Sequence, residues 1–177
     1  MKFCSHCGSS NMVMKTPVGD HRHRFTCDDC GAIHYQNPRV IAGCLIEQDE
    51  KVLLLRREIA PQAGLWNLPA GFLENGETVR EGAMRETREE AMAEVDLEYL
   101  HVVYNLPQFH QVYLIYYGAL PQGRFGAGEE TLEARFFDKS EIPWDEIAFE
   151  STKYALEKWL SRKPGDRQVY EGSLSQK

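Results

Sequence analysis

The chain has 177 residues, 42% hydrophobic and 11% aromatic, which supplies a core for one ordinary domain plus a small appendage and excludes global disorder. Its 20 basic and 27 acidic side chains leave a formal charge of −7, which argues against broad electrostatic binding to nucleic acid or to an anionic membrane. No run of about 18 apolar residues marks a membrane span, and the start, Met1-Lys-Phe-Cys-Ser-His, lacks a signal-peptide core, so a cytoplasmic protein with reduced cysteines is expected.

The first predicted unit covers residues 1–35. Cys4-Ser-His-Cys7 and Cys27-Asp-Asp-Cys30 repeat a two-residue gap, and a glycine follows each second cysteine, at Gly8 and Gly31. Such a gap turns two thiolates toward one ion, and glycine suits the tight turn behind it. Four soft thiolates predict a tetrahedral, structural Zn²⁺, because a filled shell leaves no position for water. His21-Arg-His-Arg24 is the one basic cluster of this head and reads as an exposed strand rather than a nucleic-acid contact. Tyr35-Gln-Asn-Pro38 is the expected connection.

The second predicted unit spans residues 36–163. Apolar runs at Val40–Ile46 and Val52–Leu55, split by Gln48-Asp-Glu, predict a hairpin buried on both faces, with Cys44 as a core thiol. A surface loop follows from Ala60 to Trp66. Thr78-x-x-Glu81 is a capping box and sets a helix start at Val79. On that helix Val79, Ala83, Thr87 and Ala91 form a narrow face of small side chains. Strand-rich segments follow at Val95–Asn105, Gln111–Leu120 and Glu133–Asp138, with a glycine-rich loop over residues 121–128. Ile142-Pro-Trp-Asp-Glu predicts a short helical start, and Ser151 is the expected cap of a last helix to Leu160. Residues 164–177 turn polar and read as a tail or one edge strand.

The helix carries Glu86, Glu89 and Glu90 within five positions. At about 100° per residue they fall within roughly 100° of arc. Like charges so placed repel by a few tenths of a kcal/mol per pair. A charged surface helix with incidental pairs is one reading; the other is a cradle whose hard oxygens hold divalent cations, which cancel the repulsion and bind phosphate.

The pattern Gly71, Glu77, Arg85-Glu86-x-x-Glu89-Glu90, with five and seven residues in the gaps, resembles the Nudix box. That resemblance implies an α+β fold, a Nudix α/β/α sandwich with a mixed sheet, preceded here by the small zinc ribbon. It implies Mg²⁺- or Mn²⁺-dependent hydrolysis of a nucleoside diphosphate joined to another group. Glu86, Glu89 and Glu90 are then the metal ligands, with the Ala70 carbonyl beside them. Arg85 orients a neighbouring carboxylate, and Glu77 braces loop and helix. Of Glu129, Glu130 and Glu133, Glu130 is favoured as catalytic base, because Glu133 is expected to begin a strand. Thr87 replaces an aliphatic residue of the pattern, and Met92 stands at its final glycine. Met92 puts the helix exit in question, since a left-handed exit would cost methionine about 1 kcal/mol.

Gly-Leu-Trp-Asn-Leu-Pro-Ala-Gly-Phe-Leu-Glu and Glu-Ile-Pro-Trp-Asp-Glu-Ile-Ala-Phe149 resemble the plant chloroplast FAD and ADP-ribose pyrophosphatases and their bacterial relatives. The Ser-Gln-Pro-Trp-Pro-Phe segment usual in NADH pyrophosphatases is absent, and Pro107 loosely matches a proline of ADP-ribose enzymes. Phe109, Trp66 and Tyr35 are the chosen ring-stacking candidates, with Tyr104 and Tyr113 behind them. The expected enzyme is a homodimer that takes a small nucleotide, FAD or ADP-ribose, and releases AMP. An NADH pyrophosphatase, an RNA-end hydrolase and a nucleotide-sensing regulator are the alternatives.

Overall fold

The computed structural model describes residues 1–121 and 123–174 and divides into two compact units, Met1–Asn37 and a second from Pro38 onward. In the first unit β1 (Met12–Lys15), β2 (Arg24–Cys27) and β3 (Ile33–His34) form an antiparallel sheet in that order. Gly8 and Gly31 adopt left-handed φ of 76° and 73°. Their N–H groups close the knuckles on the carbonyls of Cys4 and Cys27. Tyr35 is exposed, and the Arg24 guanidinium lies 5.0 Å from its ring centroid.

The second unit is built on a mixed sheet. Its strands are β4 (Arg39–Gln48), β5 (Lys51–Arg57), β6 (Trp66–Asn67), β7 (Ala70–Phe72), β8 (Asp96–Leu106), β9 (Gln111–Ala119), β10 (Thr131–Asp138) and β11 (Tyr170–Ser173). The main order is β10-β5-β4-β9-β8-β11, with β6 paired to β5 and β7 to β4. β4 runs parallel to β9, and β11 parallel to β8; the other pairs are antiparallel. Two helices, α1 (Val79–Ala91) and α2 (Glu150–Ser161), complete the unit.

Strand alternation divides the interior in two. Ala42, Cys44 and Ile46 of β4 and Leu53 and Leu55 of β5 pack with Ala83 and Ala91 of α1. Leu45, Val52 and Leu54 point the other way, into a core holding Ala155, Leu156 and Trp159 of α2. The helices therefore cover opposite faces of the sheet, the α/β/α arrangement that the resemblance implied. Among the described residues no helix is long and apolar enough to cross a membrane.

The capping box is present at both ends: the Thr78 hydroxyl accepts from Glu81 N–H, and the Glu81 carboxylate accepts from Thr78 N–H. Thr87 is fully buried, and its hydroxyl donates to the Ala83 carbonyl at 2.7 Å, so the polar atom costs little at a position that packs on the sheet. α1 ends on Met92 in the left-handed region, at φ 49° and ψ 34°.

Two local expectations are corrected. Ser151 is not the cap of α2; the helix begins at Glu150 after an extended Phe149, and Ser151 is buried inside its first turn. β10 begins at Thr131, two residues before Glu133, because pairing with Arg57 starts there and tolerates a bulge. Beyond α2 the chain adds β11 alongside β8 through residue 173; residues 175–177 lie outside the described residues.

Candidate active site

Strand β7 and helix α1 present the acidic site. Gly71 sits directly over Glu86, and a Cβ there would fall 2.3 Å from the Glu86 carboxylate, so any other residue at 71 would push that carboxylate out of its present position. The Arg85 guanidinium organises what lies between. Nε and Nη2 grip Glu77 at 3.0 and 2.8 Å, Nη1 reaches Glu86 at 2.8 Å and Glu89 at 3.0 Å, and Nη2 also donates to the Phe72 carbonyl at 3.0 Å. The Glu77 carboxylate also accepts from Glu74 N–H, fixing the loop before the helix. The Arg85 hydrogen bonds, with that backbone donor, hold Glu77 down to about 2.

Glu90 turns inward and accepts from Ala70 N–H at 2.9 Å. Burial, with the neighbouring Glu86 charge, outweighs that bond and pushes Glu90 up to about 7. Burial likewise raises Glu86. Glu129 and Glu130, just before β10, face the same space. Glu86, Glu89, Glu90, Glu129 and Glu130 thus line one cavity of about 840 Å³, with Ala70 and Gly71 on its wall. Arg57, at the end of β5, is the sole cationic side chain among the described residues lining it. Hard carboxylate oxygens, on two side chains drawn out of water by burial, fit a hard divalent cation.

A second cavity, of about 440 Å³, shares Arg57, Pro61, Ala70, Gly71 and Phe72 with the first. Its remaining wall is largely apolar and aromatic, including Ile41, Leu106, Phe109, Tyr113 and Phe149. Phe109 reaches it because Pro107 opens a one-turn 3-10 helix over Pro107–Phe109 between β8 and β9. The Arg57 guanidinium lies 5.2 Å from the Phe149 ring centroid.

Phe109 is therefore brought to the site with Glu77, Arg85, Glu86, Glu89, Glu90, Glu130 and Ala70. Trp66 is not. It is 6% exposed, packed edge-on against Phe137 with centroids 4.8 Å apart, because pairing of β6 with β5 turns the indole into the α2-side core. Tyr104 is a core residue as well, against Tyr154. Tyr35 belongs to the ribbon unit and lines neither cavity. Sequence reasoning missed Arg57, Phe72 and Phe149, although Phe72 and Phe149 both lie within the stretches that carried the resemblance.

In the ribbon the four sulfurs of Cys4, Cys7, Cys27 and Cys30 lie within 4.8 Å of one another, with Cys4–Cys30 at 3.7 Å and Cys7–Cys27 at 3.6 Å. Tetrahedral zinc with bonds of about 2.3 Å sets sulfurs about 3.8 Å apart, so the cluster fits a structural zinc ion. His34 Nε2 stands 3.3 Å from the Cys4 sulfur, a neighbour placed to donate to a ligating thiolate.

A mixed sheet between two helices, with a short strand centred on Gly71 set against a glutamate-rich helix, defines the fold class of Nudix hydrolases. The chain belongs to that family: the NUDIX domain model matches residues 37–160, and the Nudix N-terminal model matches residues 2–36. The crystal structure of a NUDIX hydrolase from Nitrosomonas europaea is 46% identical, with a TM-score of 0.93 over 98% of this chain and 99% of that one. ADP-ribose pyrophosphatase of Methanocaldococcus jannaschii is 35% identical over 123 residues, 67% of this chain and 72% of that protein. NAD-capped RNA hydrolase NudC of Pseudomonas aeruginosa is 29% identical over 93% of this chain but only 57% of its own length, so the chain spans little more than half of that relative.

Proposed function

We propose that this chain hydrolyses the pyrophosphate bond of an ADP-containing dinucleotide or nucleotide sugar, with ADP-ribose and FAD favoured, releasing AMP. The observation that carries this is the shared wall of the two cavities. A carboxylate-lined space and an aromatic pocket meet at Arg57, Ala70, Gly71 and Phe72. A ring in the apolar pocket would leave its diphosphate beside the carboxylates.

Glu86, Glu89 and Glu90, with the Ala70 carbonyl, would hold Mg²⁺ or Mn²⁺. Such an ion neutralises diphosphate charge and lowers the pKa of bound water. Arg85 keeps Glu86 and Glu89 aimed, and Glu77 anchors Arg85. Arg57 is placed to meet a phosphate between the cavities. Glu130 takes the proton of the attacking water as general base. Phe109, with Tyr113, stacks the ring. A homodimer in a cytoplasmic, thiol-reducing setting belongs to the same proposal, on family resemblance and on the zinc-fitting cysteines.

The M. jannaschii relative supports the ADP-ribose reading. Alignment of both units with NudC favours a second reading, cleavage of an NAD-type cap on RNA. Purified protein with Mg²⁺ is offered ADP-ribose, FAD, NADH and NAD-capped RNA, with Glu89→Gln in parallel. Selective AMP release, lost in the variant, is expected. Preferred cleavage of capped RNA would install the second reading. Nucleotide binding without turnover of any substrate would overturn both and leave a sensor.

A further inference from the structure

We propose that Gly128 is a positioning residue that sets where Glu129 and Glu130 stand over the acidic cavity, by letting their loop press against the C-terminal turn of α1. The inference rests on the reading of that cavity as the hydrolytic centre.

The last carbonyls of a helix have no partner within it. Here those of Glu90 and Ala91 accept from Gly128 N–H at 3.0 Å and Gly126 N–H at 2.8 Å. The glycine-rich loop is thus the helix cap. It is also pinned beyond, where Glu58 N–H donates to the Glu130 carbonyl at 2.9 Å. Glu129 and Glu130 are therefore suspended between two fixed points.

The two glycines are not equivalent. A Cβ on Gly126 would meet only Met92, Sδ at 3.5 Å and Cβ at 3.9 Å, ordinary contacts with an exposed side chain. A Cβ on Gly128 would fall 1.8 Å from the Glu89 carbonyl oxygen and 2.8 Å from its carbon. That is helix backbone, which has no rotamer to yield. Gly128 does not have a left-handed φ, so the demand there is for space and not for a special dihedral. The carbonyl it approaches belongs to Glu89, so the same residue that offers a carboxylate to the cavity fixes the loop opposite. Any side chain at 128 lifts the loop and carries Glu130 off the carboxylate cluster. Displacement of about 1 Å at a reacting group costs on the order of 100-fold in rate.

The test compares Gly128→Ala, Gly126→Ala, Glu130→Gln and the Gly128→Ala/Glu130→Gln double variant in kcat, KM, melting temperature and Mn²⁺ affinity. A fifth protein, with one glycine inserted between Gly128 and Glu129, keeps the cap and moves the carboxylates. We expect kcat of Gly128→Ala to fall on the order of 100-fold at unchanged KM, and Gly126→Ala to match the parent. The double variant is expected to be no slower than Glu130→Gln alone, since both changes remove one contribution. The insertion reproduces the loss even if Gly128→Ala fails to fold. Parental kcat in Gly128→Ala or in the insertion, or additive losses in the double variant, would overturn the proposal. If the parent turns over no nucleotide, the proposed function fails by itself. Mn²⁺ affinity then decides: a change in Gly128→Ala that the glycine insertion reproduces and Gly126→Ala does not show sustains the positioning role, and parental affinity in both Gly128→Ala and the insertion overturns it.

Discussion

Arg85 and Glu77 form a two-pronged ion pair, Nε to Oε2 at 3.0 Å and Nη2 to Oε1 at 2.8 Å, that ties the loop before α1 to the helix itself. The same guanidinium still reaches Glu86, Glu89 and the Phe72 carbonyl. Lysine has a single point of charge and cannot reproduce this fork. Arg85→Lys is therefore expected to lower kcat by about 10- to 100-fold and to weaken Mn²⁺ binding. Steady-state kinetics with a binding isotherm checks this; unchanged kcat would show that charge alone suffices.

Phe109 stands on a single 3-10 turn and is 56% exposed, so its removal leaves the core intact. Stacking is worth about 0.5–1.5 kcal/mol, so Phe109→Ala should raise KM for ADP-ribose about 2- to 12-fold with little change in kcat. A fall in kcat at constant KM would place the ring elsewhere.

Met92 holds a left-handed conformation at φ 49° while its side chain is 64% exposed. Glycine adopts that backbone without the Cβ penalty. Met92→Gly should stabilise the protein by about 1 kcal/mol, near 3 °C in melting temperature for a unit of this size. Calorimetry decides, and a lower melting temperature would mean that what the methionine side chain contributes outweighs the strain.

His101 is fully buried; its Nε2 donates to the Ala155 carbonyl at 3.0 Å, while Nδ1 has no partner among the described residues. Arg162, Asp166, Tyr99 and Tyr170 surround it. Burial holds its pKa below the usual 6.5. The unfolded chain then binds the proton first as pH falls, so the stability from neutral His101 is present above about pH 6.5 and is lost as pH drops below it. His101→Gln should flatten the dependence of melting temperature on pH between about 7 and 5. An unchanged slope would assign the acid lability to other groups.

Metal analysis should find one zinc per chain, lost with ribbon structure in Cys7→Ser, because small ribbons derive their folding energy from the ion. Full zinc content in the variant would exclude Cys7 as a ligand.

Much of this was legible from local spacing. The knuckles, the capping box and the glutamate arc each depend on residues a few positions apart, and helix or turn geometry converts that spacing directly into direction. The aromatic pocket was legible only at Phe109 and Tyr113, not at Phe72 or Phe149. Phe72 ends a strand, Phe109 closes a 3-10 turn and Phe149 precedes α2, so the three meet only in the tertiary fold. Trp66 shows the converse: nearness to the box in sequence suggested a binding role, yet pairing with β5 turned the indole into the core. Arg57 looked like the end of a strand, and its position between two cavities follows from the loop Pro61–Leu65 folding back on it.

The divided allegiance of β4 carries a consequence for how the chain can change length. Ala42, Cys44 and Ile46 serve one core, while Leu45 serves the other. Inserting or deleting a single residue there would exchange the two sets, forcing leucine against the small face of α1 and leaving alanine beneath Trp159. Two residues at a time would preserve the alternation. Divergence in this strand should therefore proceed by substitution or by paired insertions, and drift should gather in the loops, whose lengths no alternation constrains.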